Sequence, residues 1–461
     1  MFKRRNLESG IKYYSTNHRA DPVSFREALL KGLAPDGGLY MPMTLPRLSR
    51  EELDSLSGLS YPGLAAFITG MLIGSEIEKS VLESICNDVY SFPVPLENVM
   101  GRRYIMRLDQ GPTASFKDFA ALLMGRLMHH YLSLENRQIT ILTATSGDTG
   151  SAVANAFFGL DNINVVILFP LNEISDIQRK QMTTLGRNIR IIGIDGKFDD
   201  CQHLVKKAFM DPGLERFNLA SANSINTGRL LPQSVYYFHA WSQLASNTGD
   251  QIIFSVPSGN FGNVTGGLFA KRMGLPVKRF IIATNENDEF PRYLETKTYI
   301  PLSPSRNSPS SAMNVGHPSN LARIISLYGG IMNEKGKILK EPDYDRILDD
   351  ICSVSISDAD TLLTIERFFR DHGLVLEPHG AVAWKALEKY FESARGCDDR
   401  NLLTVSLETA HPAKFGKEVA DIIDHDPELP PSLMKVKDSR EEFISLENDY
   451  YTFKKHIKQN Y

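Results

Sequence analysis

A single lysine between two phenylalanines is the first residue of this chain whose setting suggests chemistry. In the stretch TASFKDFA, residues 113–120, Lys117 follows Phe116 and precedes Asp118 and Phe119. Such a lysine can begin an amphipathic helix, with its stem packed and its ammonium in water. Alternatively, a partly apolar pocket can hold the amine so that it bonds to a carbonyl carbon. The lysine alone leaves both interpretations open.

Two glycine-containing turns each connect a predicted strand to a predicted helix. One is PSGNFGN, in which Gly259 and Gly262 precede the helix; the other is SGDTG, which includes the Ser146 and Thr149 hydroxyls. Backbone N–H groups and the helix dipole favour an anion at such a helix N-terminus, so both turns predict anion binding. The alternatives are a plain tight turn in the first case and, in the second, an aspartate that only caps its helix.

The composition is typical of a globular protein and argues against several classes of function. The 461 residues carry a net charge of −4, which argues against a nucleic-acid binder that depends on positive charge. A chain of this length indicates about two or three domains. No segment approaches the ~18 apolar residues of a membrane span, and the basic start lacks the apolar run of a secretory signal. The four cysteines have no disulfide or metal-site spacing, so we expect a cytoplasmic protein without a metal.

The hydrophobic pattern changes near residue 95. Helical patterns dominate residues 20–95, whereas beyond them six apolar runs predict buried strands: ITILTAT, VVILFP, IRIIGI, QIIFSVP, RFIIAT and NLLTVSL. Strands that alternate with helices indicate parallel sheets with ligands at the strand carboxyl ends, so we expect two α/β lobes. The predicted domains are a mainly helical N-terminal domain at 1–95, a large α/β domain at 96–135 and 240–430, a smaller nested α/β domain at 136–239, and a C-terminal extension at 431–461.

Nine stretches of the sequence resemble one enzyme family and keep its order. They are YYSTN, GLAPDGGLYMP, GPTASFKDFA, TATSGDTGSAVA, NSIN with GRLLPQ, VPSGNFGN, HPSN, EPHGAV and TAHPAKF, and they cover roughly residues 13–416. The chain resembles the threonine synthases, which are fold type II pyridoxal-phosphate enzymes. The resemblance implies an α/β fold of two open twisted lobes, similar to the tryptophan synthase β subunit, with a mainly helical N-terminal subdomain. It also implies pyridoxal 5′-phosphate as the cofactor.

The resemblance also implies roles for individual residues. Lys117 is the lysine that forms a Schiff base with the cofactor, and Thr409 is the partner of the pyridine nitrogen. A hydroxyl partner is expected to leave that nitrogen less protonated than an aspartate would. His411, near Thr409, is interpreted as structural. The other implied binding residues are, for the cofactor, Gly259, Asn260, Phe261, Gly262, Asn263 and Asp148, and, for the substrate, Ser146, Gly147, Thr149, Ser224 and Asn226.

The implied reaction converts O-phospho-L-homoserine and water to L-threonine and phosphate, the last step of threonine biosynthesis. A phospho-lyase that releases 2-oxobutyrate from O-phosphohomoserine or O-phosphothreonine is the alternative that the sequence leaves open. Met313-Asn314 stands where family members often carry Met-Asp, which removes a negative charge from a loop near the substrate. The implied partner is the small-molecule substrate, without nucleic acid or membrane, and the chain is expected to be a monomer or a homodimer.

Two interpretations from other classes fit less well. A dinucleotide-binding dehydrogenase would use SGNFGNVTGG as its phosphate turn, but the stretch lacks GxGxxG spacing, and no suitable acidic residue follows the next strand. A non-catalytic binding protein with a degenerate site would not need an intact Lys117 together with both turns.

Overall fold

The computed structural model describes residues 10–460, which contain two large β-sheets and two short two-stranded ones. Helices cover the sheets, and the largest cluster of buried apolar side chains joins the N-terminal helices to both large sheets. Among these residues, no helix is both long enough and apolar enough to cross a membrane.

The helices and strands follow one another in an alternating order along most of the chain. The strands are β1 Tyr13–Ser15, β2 Tyr40–Pro42, β3 Leu96–Met100, β4 Arg103–Arg107, β5 Ile139–Ala144, β6 Ile163–Pro170, β7 Ile189–Asp195, β8 Leu219–Ala220, β9 Ile252–Pro257, β10 Val277–Thr284, β11 Ile331–Met332, β12 Ile338–Lys340, β13 Ile351–Ser355, β14 Leu403–Glu408 and β15 Ile444–Glu447. The helices are α1 Phe25–Lys31, α2 Arg50–Asp54, α3 Tyr61–Ile73, α4 Lys79–Val89, α5 Lys117–Leu134, α6 Asp148–Phe157, α7 Asp176–Thr183, α8 Phe198–Phe209, α9 Thr227–Leu230, α10 Val235–Leu244, α11 Gly262–Arg272, α12 Glu289–Thr296, α13 Leu321–Leu327, α14 Tyr344–Asp350, α15 Asp358–His372, α16 Pro378–Glu392, α17 Gly416–Ile423, α18 Pro431–Lys437 and α19 Tyr450–Asn460.

The larger sheet has six strands in the order β13-β10-β9-β14-β4-β3. All neighbouring strands are parallel except β3 and β4, which form an antiparallel hairpin at one edge. Strands β9 and β14 are buried along their whole length, as expected where helices cover both faces of a sheet. Because these two strands are parallel neighbours, the PSGNFGN turn and Thr409 leave the sheet at the same edge.

The smaller sheet has five parallel strands in the order β15-β7-β6-β5-β8. Strand β5 ends at Ala144, two residues before the SGDTG turn. The edge strand β15 comes from the C-terminal segment, and α19 buries Phe453 and Ile457 in the same apolar cluster as Cys201 of α8. The C-terminal segment, which the sequence shows only as an extension, therefore contributes a strand and a helix to this sheet.

The N-terminal region consists of α1 to α4 and the antiparallel strand pair β1–β2, with α1 between the two strands in the chain. Serines cap the first three helices: the side chains of Ser24, Ser49 and Ser60 accept hydrogen bonds from the first turns of α1, α2 and α3. The Tyr13 hydroxyl donates to Leu72 O (2.7 Å), which ties the strand pair to α3. These helices pack into the same core as α5, so the region supports the segment that carries Lys117.

The predicted α/β fold class with a helical N-terminal region is confirmed. The helical patterns of residues 20–95 correspond to α1–α4, and the six predicted strands correspond to β5, β6, β7, β9, β10 and β14. The β3–β4 hairpin was not predicted, because β3 is half-exposed at a sheet edge and lacks a continuous apolar run. The domain boundaries stay a prediction.

Candidate active site

Lys117 begins helix α5, and the segment after β14 fixes the backbone that leads to it. The Phe116 N–H donates to Thr409 O (2.9 Å), and the His411 N–H donates to Ala114 O (3.1 Å). Ala114 has φ 54°, a left-handed conformation that turns the chain toward the helix. The TASFK and ETAH segments are therefore joined by backbone hydrogen bonds directly beside the lysine.

Asp118, the next residue, closes the turn before α5. Its carboxylate accepts hydrogen bonds from the N–H (2.8 Å) and the hydroxyl (2.5 Å) of Thr113. A Cβ atom on Gly111 would lie 2.4 Å from Asp118 Oδ2, so this close approach requires glycine. Burial raises the pKa of Asp118 to about 6. The Asp118 carboxylate is therefore hydrogen-bonded to Thr113 within the turn that precedes α5.

The Lys117 side chain is 13% exposed and ends beside a carboxylate. Its Nζ lies 3.6 Å from Asp148 Oδ2 and 4.8 Å from the centroid of the Phe116 ring. Burial lowers the pKa of Lys117, although the Asp148 carboxylate opposes the shift. The positive charges of Lys414 and Arg229 lower it further. An amine with a lowered pKa is more often neutral, as a lysine must be to bond to a carbonyl carbon.

Asp148 is the first residue of α6, and its carboxylate lies between two ammonium groups. The fully buried Lys414 Nζ lies 2.6 Å from Asp148 Oδ1, and Gln178 Nε2 donates to the same oxygen (2.9 Å). Burial alone would raise the pKa of Asp148, but the charges of Lys414 and Lys117 hold it well below its usual range. Asp148 is therefore an ionised carboxylate that is shared by both lysines.

The SGDTG turn places Asp148 through hydrogen bonds to its backbone. Thr145 Oγ1 accepts from the N–H groups of Gly147 (2.9 Å) and Gly150 (2.8 Å). Gly147 has φ 130°, and a Cβ atom there would lie 2.6 Å from Gln178 Cδ. Glycine is required at this position by both the backbone conformation and the space.

The PSGNFGN turn leads into α11. Phe261 has φ 60°, and the helix begins at the next residue, Gly262. The first N–H groups of a helix have no partner inside it. A Cβ atom on Gly259 would lie 2.8 Å from Ala312 O, so the loop that contains Ala312 packs closely against the turn. Unpaired N–H groups at the N-terminus of an 11-residue helix fit an anion such as a phosphate.

Two of the predicted binding residues use their side chains to hold the scaffold together. Asn263 Oδ1 accepts from the hydroxyls of Tyr236 and Tyr237, both at 2.6 Å. Asn226 Nδ2 donates to Leu29 O (2.9 Å) in the N-terminal region. The Asn226 amide is therefore occupied by protein partners, whereas Asn263 Nδ2 is buried and has no hydrogen-bond partner within residues 10–460.

The other predicted polar residues around the turns are accessible to a small molecule. Asn260 and Ser146 are exposed, whereas Thr149 and Ser224 are half-buried. Ser224 lies beside the start of α11, since a Cβ atom on Gly262 would be 4.0 Å from Ser224 Cβ. These hydroxyl and amide groups lie where a ligand of the two turns can reach them.

Thr409 follows β14 directly, and its hydroxyl faces a buried acid. Thr409 Oγ1 donates to Glu377 Oε1 (3.2 Å). Glu377 is also the N-cap of α16, where its carboxylate accepts from the N–H groups of His379 (2.7 Å) and Gly380 (3.1 Å). Thr409, the predicted partner of the pyridine nitrogen, is thus hydrogen-bonded to the N-cap residue of α16.

Comparisons with known proteins place this arrangement in a family. Three protein families match successive parts of the chain. They are described as "Threonine synthase N terminus", over residues 12–90, "Pyridoxal-phosphate dependent enzyme", over residues 94–406, and "Threonine synthase, C-terminal", over residues 380–457. The chain is 41% identical to the threonine synthase of Escherichia coli over 429 residues, which cover 93% of this chain and 95% of that relative. The chain belongs to the threonine synthase family.

Solved structures of the family have the same fold. A threonine synthase from Brucella melitensis with bound pyridoxal phosphate superposes with a TM-score of 0.90 at 34% identity, over 97% of this chain and 99% of that one. The yeast threonine synthase superposes with a TM-score of 0.89 at 31% identity and covers 99% of both chains. The pyridoxal-phosphate fold expected from the sequence is therefore confirmed over nearly the whole length.

The chemistry of the site fits the cofactor of this family. Pyridoxal phosphate presents an aldehyde, a phosphate and a pyridine nitrogen. The buried amine of Lys117 suits the aldehyde, and the N-terminus of α11 with the close-packed Gly259 suits the phosphate. Thr409, beside the backbone of Phe116, suits the ring nitrogen. Each group of the cofactor thus has a matching group in the described structure.

Three buried charged residues of the site were not among the predicted site residues. They are Lys414, Glu377 and Arg229, and each lies inside a stretch already noted, TAHPAKF, EPHGAV or GRLLPQ. The available signal was a charged residue within a short, mostly apolar motif directly after a strand or before a helix. The sequence does not show that these side chains point inward, because that depends on the packing of distant elements.

Asn314, where family members often have aspartate, belongs to the internal network of its loop. Asn285 Nδ2 donates to Asn314 Oδ1 (2.9 Å), and Asn314 Nδ2 donates to Ser308 O (3.3 Å). An aspartate could accept the first hydrogen bond but could not donate the second. The amide therefore stabilises the loop, and its effect on the substrate stays a prediction.

Proposed function

We propose that this chain converts O-phospho-L-homoserine and water to L-threonine and phosphate. The observation that carries the proposal is the buried Lys117, whose amine has a lowered pKa and lies beside the ionised Asp148. Membership of the threonine synthase family and similarity over more than 90% of the chain support the same reaction.

In this proposal Lys117 carries pyridoxal 5′-phosphate, and the turn Gly259–Asn263 binds the cofactor's phosphate through its N–H groups. Thr409 faces the pyridine nitrogen. When bound, the cofactor withdraws electrons from the substrate's Cα and so makes the protons at Cα and Cβ easier to remove. Asp148 stays ionised near the ring because Lys414 compensates its charge within 2.6 Å.

Lys117 also moves the protons of the reaction. With the substrate's amine bound in its place, the free amine of Lys117 would take protons from Cα and Cβ. Burial, which lowers the pKa of Lys117, keeps the amine available as a base, and Asp148 at 3.6 Å stabilises the ammonium that forms. The phosphate leaves from Cγ, a proton is added to Cγ to form the methyl group, water adds its hydroxyl at Cβ, and Lys117 returns a proton to Cα.

Arg229 is the proposed partner of the substrate's phosphate. It is 5% exposed, its Nη1 donates to Ala222 O (2.7 Å), and its Nε has no hydrogen-bond partner within residues 10–460. Burial lowers the pKa of Arg229 to about 10. The charge of Arg229 lowers the pKa of Lys117, so the two side chains lie close enough to interact. A phosphate oxygen would satisfy the unpaired N–H and compensate the charge.

We also propose a cytoplasmic location and a monomeric or homodimeric state. All four cysteines, Cys86, Cys201, Cys352 and Cys397, are free thiols, which fits a reducing compartment. The predicted division into four domains is kept as part of this proposal. Sedimentation of the purified protein distinguishes monomer from homodimer, and limited proteolysis tests the boundary near residue 430.

The proposal is tested by the absorbance of the purified protein and by the products it forms. We expect a visible band from bound pyridoxal phosphate that is absent in Lys117→Ala, and release of threonine and phosphate in equal amounts from O-phospho-L-homoserine. Lys389→Ala, which alters a partly exposed lysine paired with Asp360, is the control and should keep both properties. Release of 2-oxobutyrate as the main product would instead support the phospho-lyase. Absence of the band after added cofactor would refute the proposal.

A further inference from the structure

Arg323 in α13 is a fully buried cation for which the described residues provide no carboxylate partner. Burial lowers the pKa of Arg323 to about 9, so the guanidinium stays protonated at neutral pH. The titratable group whose charge would oppose this shift is the Tyr14 hydroxyl, and burial raises the pKa of Tyr14, which keeps it neutral. A positive charge is therefore buried here without an anion.

Neutral oxygen atoms accept from all five N–H groups of the Arg323 guanidinium. Nε and Nη2 donate to Tyr40 O in β2 (3.3 and 3.1 Å), and Nη2 also donates to Ile225 O (2.7 Å). Nη1 donates to Ser224 O (3.2 Å) and to Asn320 Oδ1 (2.5 Å). The acceptors belong to the stretches GLAPDGGLYMP, NSIN and HPSN, so one side chain joins three of the stretches that carry the family resemblance.

These hydrogen bonds do not remove the charge of Arg323. Carbonyl and amide oxygens are dipoles that solvate a cation in part, whereas an anion is needed to compensate its charge where water is excluded. The hydrogen bonds therefore hold the guanidinium in place and leave a positive potential around it. That potential favours an anion at a nearby position that a ligand can reach.

Two of the acceptor residues lie beside the turn that begins α11. A Cβ atom on Gly262 would lie 3.6 Å from Asn320 Nδ2 and 4.0 Å from Ser224 Cβ. The Asn320 N–H also donates to Asn260 O (3.3 Å) in the same turn. Asn320 and Ser224 thus connect Arg323 to the N-terminus of α11, where the site best fits a phosphate.

The other buried cations of the site interact with carboxylates of the protein. Lys414 pairs with Asp148, and Lys117 faces the same carboxylate. The charge of Asp118 raises the pKa of Arg229 and so opposes the effect of burial. Since no such carboxylate acts on Arg323 within residues 10–460, its charge is available to a ligand.

We propose that Arg323 supplies the positive charge that compensates the phosphate of bound pyridoxal phosphate, acting across Asn320 and Ser224 rather than by direct contact. The inference rests on the proposed function, in which the turn Gly259–Asn263 binds this phosphate. The N–H groups of that turn supply only a partial positive charge. Arg323 is a positioning residue, because it also fixes the two segments beside the turn.

The test compares two ligands that differ only in the phosphate, pyridoxal phosphate and pyridoxal. The protein freed of cofactor is titrated with each ligand, and the visible band of the bound form gives the two Kd values. Arg323→Gln removes the charge and keeps an amide donor, so we expect its affinity for pyridoxal phosphate to fall by on the order of tenfold. Its affinity for pyridoxal, which carries no phosphate, should stay near the wild-type value.

Two further variants separate the charge of Arg323 from its role in packing. Arg279→Gln is the matched control: Arg279 is a half-buried arginine of β10 that donates to Leu348 O (3.0 Å), and its replacement should leave the ratio of the two Kd values unchanged. Arg323→Lys keeps the charge and should keep the wild-type preference for pyridoxal phosphate over pyridoxal. If Arg323→Gln does not fold, Arg323→Lys decides the question, and loss of the preference in it would overturn the inference.

Three results with Arg323→Gln would overturn the inference. An equal loss of affinity for both ligands would show a structural role only, and no loss for either would show no role in binding. A higher KM for O-phospho-L-homoserine at unchanged cofactor affinity would assign the charge to the substrate's phosphate instead. The proposed function stands in each of these cases, whereas a wild-type protein that does not bind the cofactor would refute both.

Discussion

Lys414 Nζ and Asp148 Oδ1 form a fully buried ion pair at 2.6 Å, and the second oxygen of the same carboxylate faces Lys117 at 3.6 Å. Lys414 is fixed by a further hydrogen bond to Thr113 O (2.9 Å), in the loop that leads to Lys117. The single negative charge of Asp148 therefore pairs with two lysines. Because Lys414 already compensates Asp148, Lys117 can lose its charge without leaving a buried carboxylate unpaired.

Replacing Lys414 should make Lys117 harder to deprotonate. In Lys414→Met, Asp148 has only Lys117 as a cationic partner, and the repulsion that lowers the Lys117 pKa is lost. We expect the pH midpoint for cofactor attachment to the apoprotein to rise. The rate of the absorbance change after mixing apoprotein with pyridoxal phosphate, measured across pH, checks this.

The control for this experiment is Lys271→Met. Lys271 pairs with Asp350 at 2.7 Å in a partly buried setting. Its removal should leave the pH midpoint unchanged. Since losing one partner of a buried pair costs about 3–5 kcal/mol, Lys414→Met should also unfold at a lower urea concentration. A pH profile identical to that of the wild type would contradict the role given to Lys414.

Arg229→Gln should weaken substrate binding more than cofactor binding. Removing a charge-assisted hydrogen bond to the substrate's phosphate costs about 1.5–3 kcal/mol, which corresponds to an increase in KM of roughly 10- to 150-fold. Steady-state kinetics with O-phospho-L-homoserine and a parallel titration with pyridoxal phosphate measure the two effects. Arg370→Gln, which alters an exposed arginine paired with Asp371, should change neither. An unchanged KM in Arg229→Gln would exclude this role.

The sequence predicted the turns and the lysine of the site better than its charged surroundings. Lys117, Gly147 and Gly259 lie in short stretches whose order and local chemistry are visible in the sequence. The pairing of Lys414 with Asp148 joins residues 266 positions apart (414 − 148 = 266), and it depends on how two sheets pack. The same holds for β15, a mostly exposed strand of four residues that pairs with β7 at the edge of the smaller sheet.

Glu408 should make the stability of the wild-type protein fall as the pH rises. Its pKa is raised in the folded protein by burial and by Glu377, so the folded state keeps a proton that the unfolded chain releases above about pH 4.5. The stabilisation is complete below that value and is lost as the pH rises toward the folded pKa. Glu408→Gln cannot lose this proton, so its loss of unfolding free energy with rising pH should be smaller than that of the wild type.

Urea unfolding at about pH 5 and about pH 8 tests this difference. Glu392→Gln, on the exposed end of α16, serves as the control and should follow the wild-type dependence. If Glu408→Gln loses as much stability with rising pH as the wild type does, Glu408 does not hold a proton in the folded protein.

Gly147→Ala should damage the site through Gln178. The substitution introduces a Cβ atom 2.6 Å from Gln178 Cδ, at a backbone φ of 130° that alanine rarely adopts. Strain of this kind costs about 1–3 kcal/mol, and displaced Gln178 would lose its 2.9 Å hydrogen bond to Asp148. We expect a lower unfolding free energy and weaker binding of pyridoxal phosphate. Gly58→Ala is the matched control, since nothing lies within 4 Å of its Cβ position; both properties should then stay near wild type. Normal stability and cofactor affinity in Gly147→Ala would show that the turn tolerates a side chain.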